Sequence, residues 1–253
     1  MATPLLGKSD PPPAELVNKS GVSRCLFVSE HAGNRVPSQL GTLGLSSADL
    51  DDHMGWDLHI RAVGEALSVK LDATYICQTY SRLVIDCNRP PGSEGSILSV
   101  SDRCPVPGNQ GLADTQRKAR EDEIFRPFHD MIAATIDTRL ARGQETILVT
   151  LHSFTPAMES CDAPRPWDIT LQYGRQPDFS RWMMEKLRSD ASIIVGDNVP
   201  YPVDDESDYS IPIHGESRNL LHTMVEIRQD GISTPAGRSF WVDKLATVLS
   251  DIT

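Results

Sequence analysis

Short apolar runs alternate along this chain with longer stretches whose apolar residues recur at helical spacing. The runs predict buried strands and the stretches amphipathic helices. Residues 24–29 (RCLFVS), 73–81 (ATYICQTYS), 83–86 (LVID), 146–154 (TILVTLHSF), 167–174 (WDITLQYG), the short SIIVGDN and 223–230 (TMVEIRQD) read as strands. Helices are expected to start at Ser46-Ser47-Ala48-Asp49 and to span about 57–71, 115–140, 179–189 and 234–249, with Pro127 kinking the second of these spans. Strands alternating with helices imply a three-layer αβα sandwich with a mainly parallel, mixed central sheet. Residues 1–20, with Pro11-Pro12-Pro13, read as an N-terminal arm draped over the surface or partly disordered. Residues 21–253 then form one α/β domain without an internal repeat. The Gly-, Pro- and Ser-rich residues 90–111 are expected to be a loop, long enough to act as a lid.

Composition narrows the function more than the fold. The 253 residues suffice for a large core, and 39% hydrophobic against 23% charged residues is a globular balance. The 24 basic and 35 acidic residues leave a net charge of −11, which argues against nucleic acid as a partner. A local arginine cluster can still hold a small anion. No run is long enough to span a membrane and the start lacks an apolar signal core, so no membrane partner and a cytoplasmic location are expected. Cys25, Cys77, Cys87, Cys104 and Cys161 are odd in number and scattered without a CxxC pair. They are expected to be free thiols.

Ligands of such sheets bind at the carboxyl ends of the strands, so the residues just after each run are the ones to inspect. His31, in SEHAGN, and His152, in LHSF, each end a buried run. Two such histidines are candidates for one metal centre, although each alone is equally a strand-end His satisfied by hydrogen bonds. A third ligand should be a carboxylate or another His. Asp57 at the head of the long amphipathic helix is the choice, against a role in the helix dipole, with Glu30, Asp51, Asp52 and His53 as competitors. Arg82 and Arg89 bracket LVIDCN, where a guanidinium fork suits a carboxylate but a plain salt bridge to Asp86 is the ordinary alternative. In VEIR, Glu226 and Arg228 share one face of a strand and Val225 and Ile227 the other. A carboxylate in such a strand is either a proton carrier or half of an internal pair with Arg228.

Taken together, SEHAGNRVP, GWDLHI, SRLVIDCNRP, LHSFTP and VEIRQD resemble the N-formylglutamate amidohydrolase family over residues 28–230. That family is similar in turn to the zinc-dependent exopeptidase-like enzymes, including carboxypeptidases and aspartoacylases. The resemblance implies one zinc ion on His31 and His152. The position three after His31, a Glu ligand in related branches, is Asn34 here, so the third ligand moves to Asp57, as in the muramoyl-amidase branch. The resemblance also implies that Asp86, Asn88 and Arg89 match a segment that binds a substrate carboxylate, and that Glu226 is the general base. Arg82, Arg228 and His214 are further candidates for the pocket. The activity implied is hydrolysis of the amide bond of an N-acyl amino acid such as N-formylglutamate, with zinc activating water. A peptide hydrolase of the carboxypeptidase or muramoyl-amidase kind, or a non-catalytic anion-binding module, are the alternative readings.

Overall fold

The computed structural model describes residues 4–252. A seven-stranded sheet has the order β1-β3-β2-β6-β9-β7-β8. These strands are β1 (Ala14–Val17), β2 (Cys25–Ser29), β3 (Thr74–Gln78), β6 (Ile147–Phe154), β7 (Ile169–Gln172), β8 (Val195–Asp197) and β9 (Leu221–Arg228). Strands β3, β2, β6 and β9 run parallel, β1 is antiparallel to β3, and β7 and β8 run against β9. The sheet is therefore mixed and mainly parallel.

Side-chain alternation builds two cores from each strand. On one face Phe27, Tyr75, Val149, Leu151, Val225 and Ile227 pack on helices α2 (Ile60–Lys70), α5 (Asp178–Arg188) and α6 (Pro235–Ser250). On the other, Leu26, Val28, Ile76, Leu148 and Met224 pack on Phe128, Ile132 and Ile136 of α4 (Arg126–Ala141). This is the expected αβα sandwich. The first helix, α1 (Ser47–Asp51), starts at a Ser46 capping box closed by Asp49.

Four local expectations change. The proline-rich segment is no loose arm: β1 pairs with β3 along the sheet edge, and Leu5 is buried with its N–H on Glu123. LVID is not a strand but a buried turn, in which the Val84 N–H donates to the Ser81 carbonyl while Leu83, Val84 and Ile85 fill the core. Apolarity there reports burial, and no neighbouring strand offers a ladder. Pro127 does not kink one helix. A π-helical turn at Glu121–Phe125 joins α3 (Asp114–Arg120) to α4, so the missing N–H falls in the first turn of α4. Finally, the 90–111 loop carries its own two-stranded hairpin, β4 (Val100–Ser101) with β5 (Cys104–Pro105). All five cysteines are free. Among the described residues, no helix is long and apolar enough to cross a membrane.

Candidate active site

Three carboxyl strand ends, those of β2, β6 and β9, meet at one edge of the sheet. Beyond β2 the chain continues as buried Glu30 and His31. Gly33 then passes against the end of β3, where a Cβ would sit 2.1 Å from the Thr79 carbonyl oxygen. Close approach, not a left-handed turn, is what requires glycine there. His152 lies inside β6, in register with Glu226 of β9. Asp57 lies three residues before α2, later entered through His59 at φ 65°, and its N–H donates to the His31 carbonyl at 2.9 Å. The helix dipole reading of Asp57 therefore does not apply.

The two imidazoles stand edge to face with centroids 5.0 Å apart. Asp57 Oδ2 lies 2.9 Å from His152 Nδ1 and 3.5 Å from His31 Nδ1, and it accepts from the Ser153 N–H at 3.2 Å. The opposite ring nitrogens meet carboxylates as well. His31 Nε2 is 2.7 Å from Asp86 Oδ1, and His152 Nε2 is 3.0 Å from Glu30 Oε2. Arg82 donates to Asp86 at 2.7 Å and stands 3.6 Å from Asp57. Each histidine thus has an acid behind it, hydrogen-bonded at His31 and in charge contact at His152, while its Nδ1 turns toward Asp57, an arrangement of the kind that orients metal-ligating imidazoles.

The donor set fits a divalent cation. One atom each from His31, Asp57 and His152 lie within 4.8 Å of one another, and all three residues are buried. Ligands on a tetrahedral zinc are about 3.3 Å apart, given bond lengths of about 2.0–2.1 Å. His31 Nδ1 is sealed from solvent and has no hydrogen bond. Charge points the same way. Asp57, Asp86 and Glu226 share one arginine, Arg82, and Glu30 adds a fourth carboxylate beside His152. Without a cation the surplus falls on protons: burial opposes a charged His152, yet Glu30 and Asp57 outweigh it and hold its pKa well above the usual value. Burial likewise opposes the charge of Asp57, Glu30 and Asp86, but the histidines, and Arg82 at Asp86, keep all three below the ordinary carboxylate range. Glu226 differs. Burial dominates and raises its pKa, with His152 and Arg82 only partly offsetting the effect.

A cavity of about 380 Å³ opens above this group, lined among others by Glu226, Arg82, Asn88, Arg89, Arg165 and Asp208. The sequence-derived candidates separate here. Arg82 and Arg89 reach the cavity. Asn88 touches it, but its amide is committed, donating to Asp208 at 2.8 Å and accepting from the N–H groups of Tyr209 and Ser210. Asp86 faces His31 rather than a ligand. Arg228 is not brought to the cavity: it binds Asp230 and Asp168 and caps the carbonyls of residues 165–167, so it does not pair with Glu226 either. His214 is also elsewhere, stacked on His129 with Nε2 3.0 Å from its Nδ1, where burial lowers its pKa to about 3.

Among the competing third ligands, Glu30 stands behind His152. Asp51 binds Asn34, and Asp52 binds His53, whose Nε2 meets Asp102 at 3.0 Å on the cavity rim. None joins the central group. Sequence reasoning missed Arg165 and Asp102. Arg165 follows β6, so the strand-end rule covered it in principle, but it sits far along an irregular connection.

A mixed αβα sheet with a polar, carboxylate-rich cavity at its parallel carboxyl edge defines an α/β protein with its cavity where such sheets bind ligands. Residues 23–233 match the N-formylglutamate amidohydrolase family, and the chain belongs to it. The structure superimposes on the gene product Atu2144 from Agrobacterium tumefaciens with TM-score 0.92 and 32% identity, over 97% of this chain and 96% of that one. It matches an N-formylglutamate amidohydrolase from Ralstonia eutropha JMP134 with TM-score 0.72 and 20% identity, over 94% and 95% of the two chains, a likeness of fold. No curated protein sequence matches the chain. Family membership makes amide hydrolysis the reaction class.

Proposed function

We propose that this protein is a metal-dependent amidohydrolase that cleaves the amide of an N-acyl acidic amino acid, N-formylglutamate being the substrate its family is named for. The observation that carries this reading is the convergence of His31 Nδ1 and His152 Nδ1 on Asp57 Oδ2, with Glu226 and Arg89 on the same cavity. His31, His152 and Asp57 would hold the ion, zinc by the chemistry of two imidazoles and a carboxylate. When bound, it supplies Lewis-acid polarisation of the amide carbonyl and acidification of water.

The remaining work falls to the chain. Glu30 and Asp86 stand behind the imidazoles, so that Nδ1 of each would face the ion beside Asp57. Arg89 grips a substrate carboxylate and sets the amide beside the His31–His152 pair. Glu226 accepts a proton from the attacking water and delivers it to the departing nitrogen, a duty suited by its raised pKa. The products are the free amino acid and the released acid, formate from a formyl group. The test is formate release from N-formylglutamate by protein reconstituted with zinc. Release that stops with a chelator and returns with zinc supports the reading; a metal-independent rate contradicts it.

A further inference from the structure

Four arginines stand at or beside the cavity, and three have acids. Arg82 pairs with Asp86 and Asp57, Arg89 has Asp208 at 3.6 Å, and Arg228, outside the cavity, has Asp230 and Asp168. Arg165 lines the cavity, is only 8% exposed, and has no carboxylate within 4.0 Å among the described residues. Its partners are neutral: the Tyr201 hydroxyl and Met158 Sδ, each at 2.7 Å, and the Thr155 carbonyl at 3.4 Å. The guanidinium carbon also lies 5.6 Å from the Tyr201 ring centroid. These contacts hold the fork in place and leave its charge uncompensated.

A buried arginine can be purely structural, and this chain contains two that are. Arg120 donates to the carbonyls of Val84 and Gly108 and to Asn109, and Arg139 to the carbonyls of Ser23, Arg24 and Glu145 and to Thr146. Both donate chiefly to backbone and side-chain oxygens, although Arg139 Nη1 has no partner among the described residues, and neither lines the cavity. Arg165 has one long carbonyl contact, a thioether and a phenol, and its Nε makes no hydrogen bond among the described residues. An uncompensated buried charge is costly, which in a chain of net charge −11 marks a place kept for an anion from outside.

We propose that Arg165 is a specificity-determining residue that binds the second carboxylate of a dicarboxylic N-acyl amino acid while Arg89 holds the first, so that the enzyme selects acidic over neutral side chains. This rests on the amidohydrolase reading above. Two guanidinium forks on one cavity of about 380 Å³, that of Arg165 held by hydrogen bonds, suit a short dicarboxylate. A neutral isostere leaves Arg165 desolvated and unpaired, the situation in which polar sites discriminate most strongly.

The test compares N-formylglutamate with N-formylglutamine, which differ only in the distal carboxylate. The zinc-loaded wild type should favour the acid in kcat/KM by about 10²-fold or more, and Arg165→Gln should bring the ratio to within about tenfold of unity, with turnover of N-formylglutamine falling far less than that of N-formylglutamate. Arg165→Lys should retain part of the preference. The ratio is taken within each variant, so it is independent of the folded fraction. A wild type without preference, or a variant that keeps the wild-type ratio, overturns the proposal. If no N-formyl amino acid is hydrolysed, the amidohydrolase reading fails separately, and calorimetric titration with glutarate and its monoamide decides this one. Preference for glutarate lost in Arg165→Gln supports it; equal binding of the two in wild type overturns it.

Discussion

Glu30 Oε2 stands 3.0 Å behind His152 Nε2, fully buried, on the side of the ring away from Asp57. In the proposed site this charge contact would steer the ring, so Glu30 should matter to metal affinity without being a ligand. Glu30→Gln is expected to weaken zinc binding by about 10–100-fold while preserving the far-ultraviolet circular dichroism. Competition against a zinc chelator of known affinity measures it, and unchanged affinity removes Glu30 from the site.

The proposed base, Glu226, should separate chemistry from binding. Glu226→Gln should keep the metal and the affinity for a dicarboxylate but lower kcat by about 10²–10⁴-fold. Because burial raises the pKa of Glu226 and a base must be ionised to act, activity should, if Glu226 is that base, climb with pH through a value above the usual 4.5 of a glutamate. The limb should vanish in the variant. A variant with wild-type kcat assigns the proton transfer elsewhere.

Removal of the metal should show in the pH dependence of stability. In the metal-free protein burial opposes protonation of His152, but Glu30 and Asp57 prevail and raise its pKa above 6.5. A raised folded pKa gives stabilisation that is complete below the unfolded value and lost as pH rises through the folded one. Zinc on His152 would need the neutral imidazole and would take the place of the proton. The gain in Tm on adding zinc should therefore grow from about pH 6 to about pH 9. Differential scanning fluorimetry with and without zinc reads it directly, and a gain that shrinks with pH contradicts the argument.

Gly33 links the fold to the site. A Cβ there would meet the Thr79 carbonyl oxygen at 2.1 Å, so Gly33→Ala must push the His31 turn off β3. A loss of about 1–3 kcal/mol in urea denaturation is expected, together with weaker zinc binding, because His31 is two residues away. Wild-type values for both would mean that the turn yields freely.

The sequence carried the sheet and the two histidines well, because strand ends and buried runs are local signals. Val225 and Ile227 pointing to one core and Glu226 to the cavity followed from period two alone. Asp57 was legible as a choice among neighbours, but its joining of His31 and His152 depends on the turn that ties its N–H to the His31 carbonyl. The rest was set by tertiary contacts. LVID was apolar because it is buried, not because it is a strand. Arg228 looked like a pocket residue until the carbonyls of residues 165–167 claimed it. Asn88 and Asp86 carried a familiar pattern, yet Asp208 and His31 engage them. Arg165 gave no signal, since its meaning lies in the absence of a nearby acid.

The most direct measurement is metal content by plasma emission spectroscopy after zinc loading and gel filtration, in wild type and in His31→Ala, His152→Ala and Asp57→Asn. The account predicts about one zinc per chain in wild type, since three protein ligands leave one position open, and loss of most of it in each variant that remains folded. Full zinc in His31→Ala and His152→Ala, or none in the folded wild type, would contradict it.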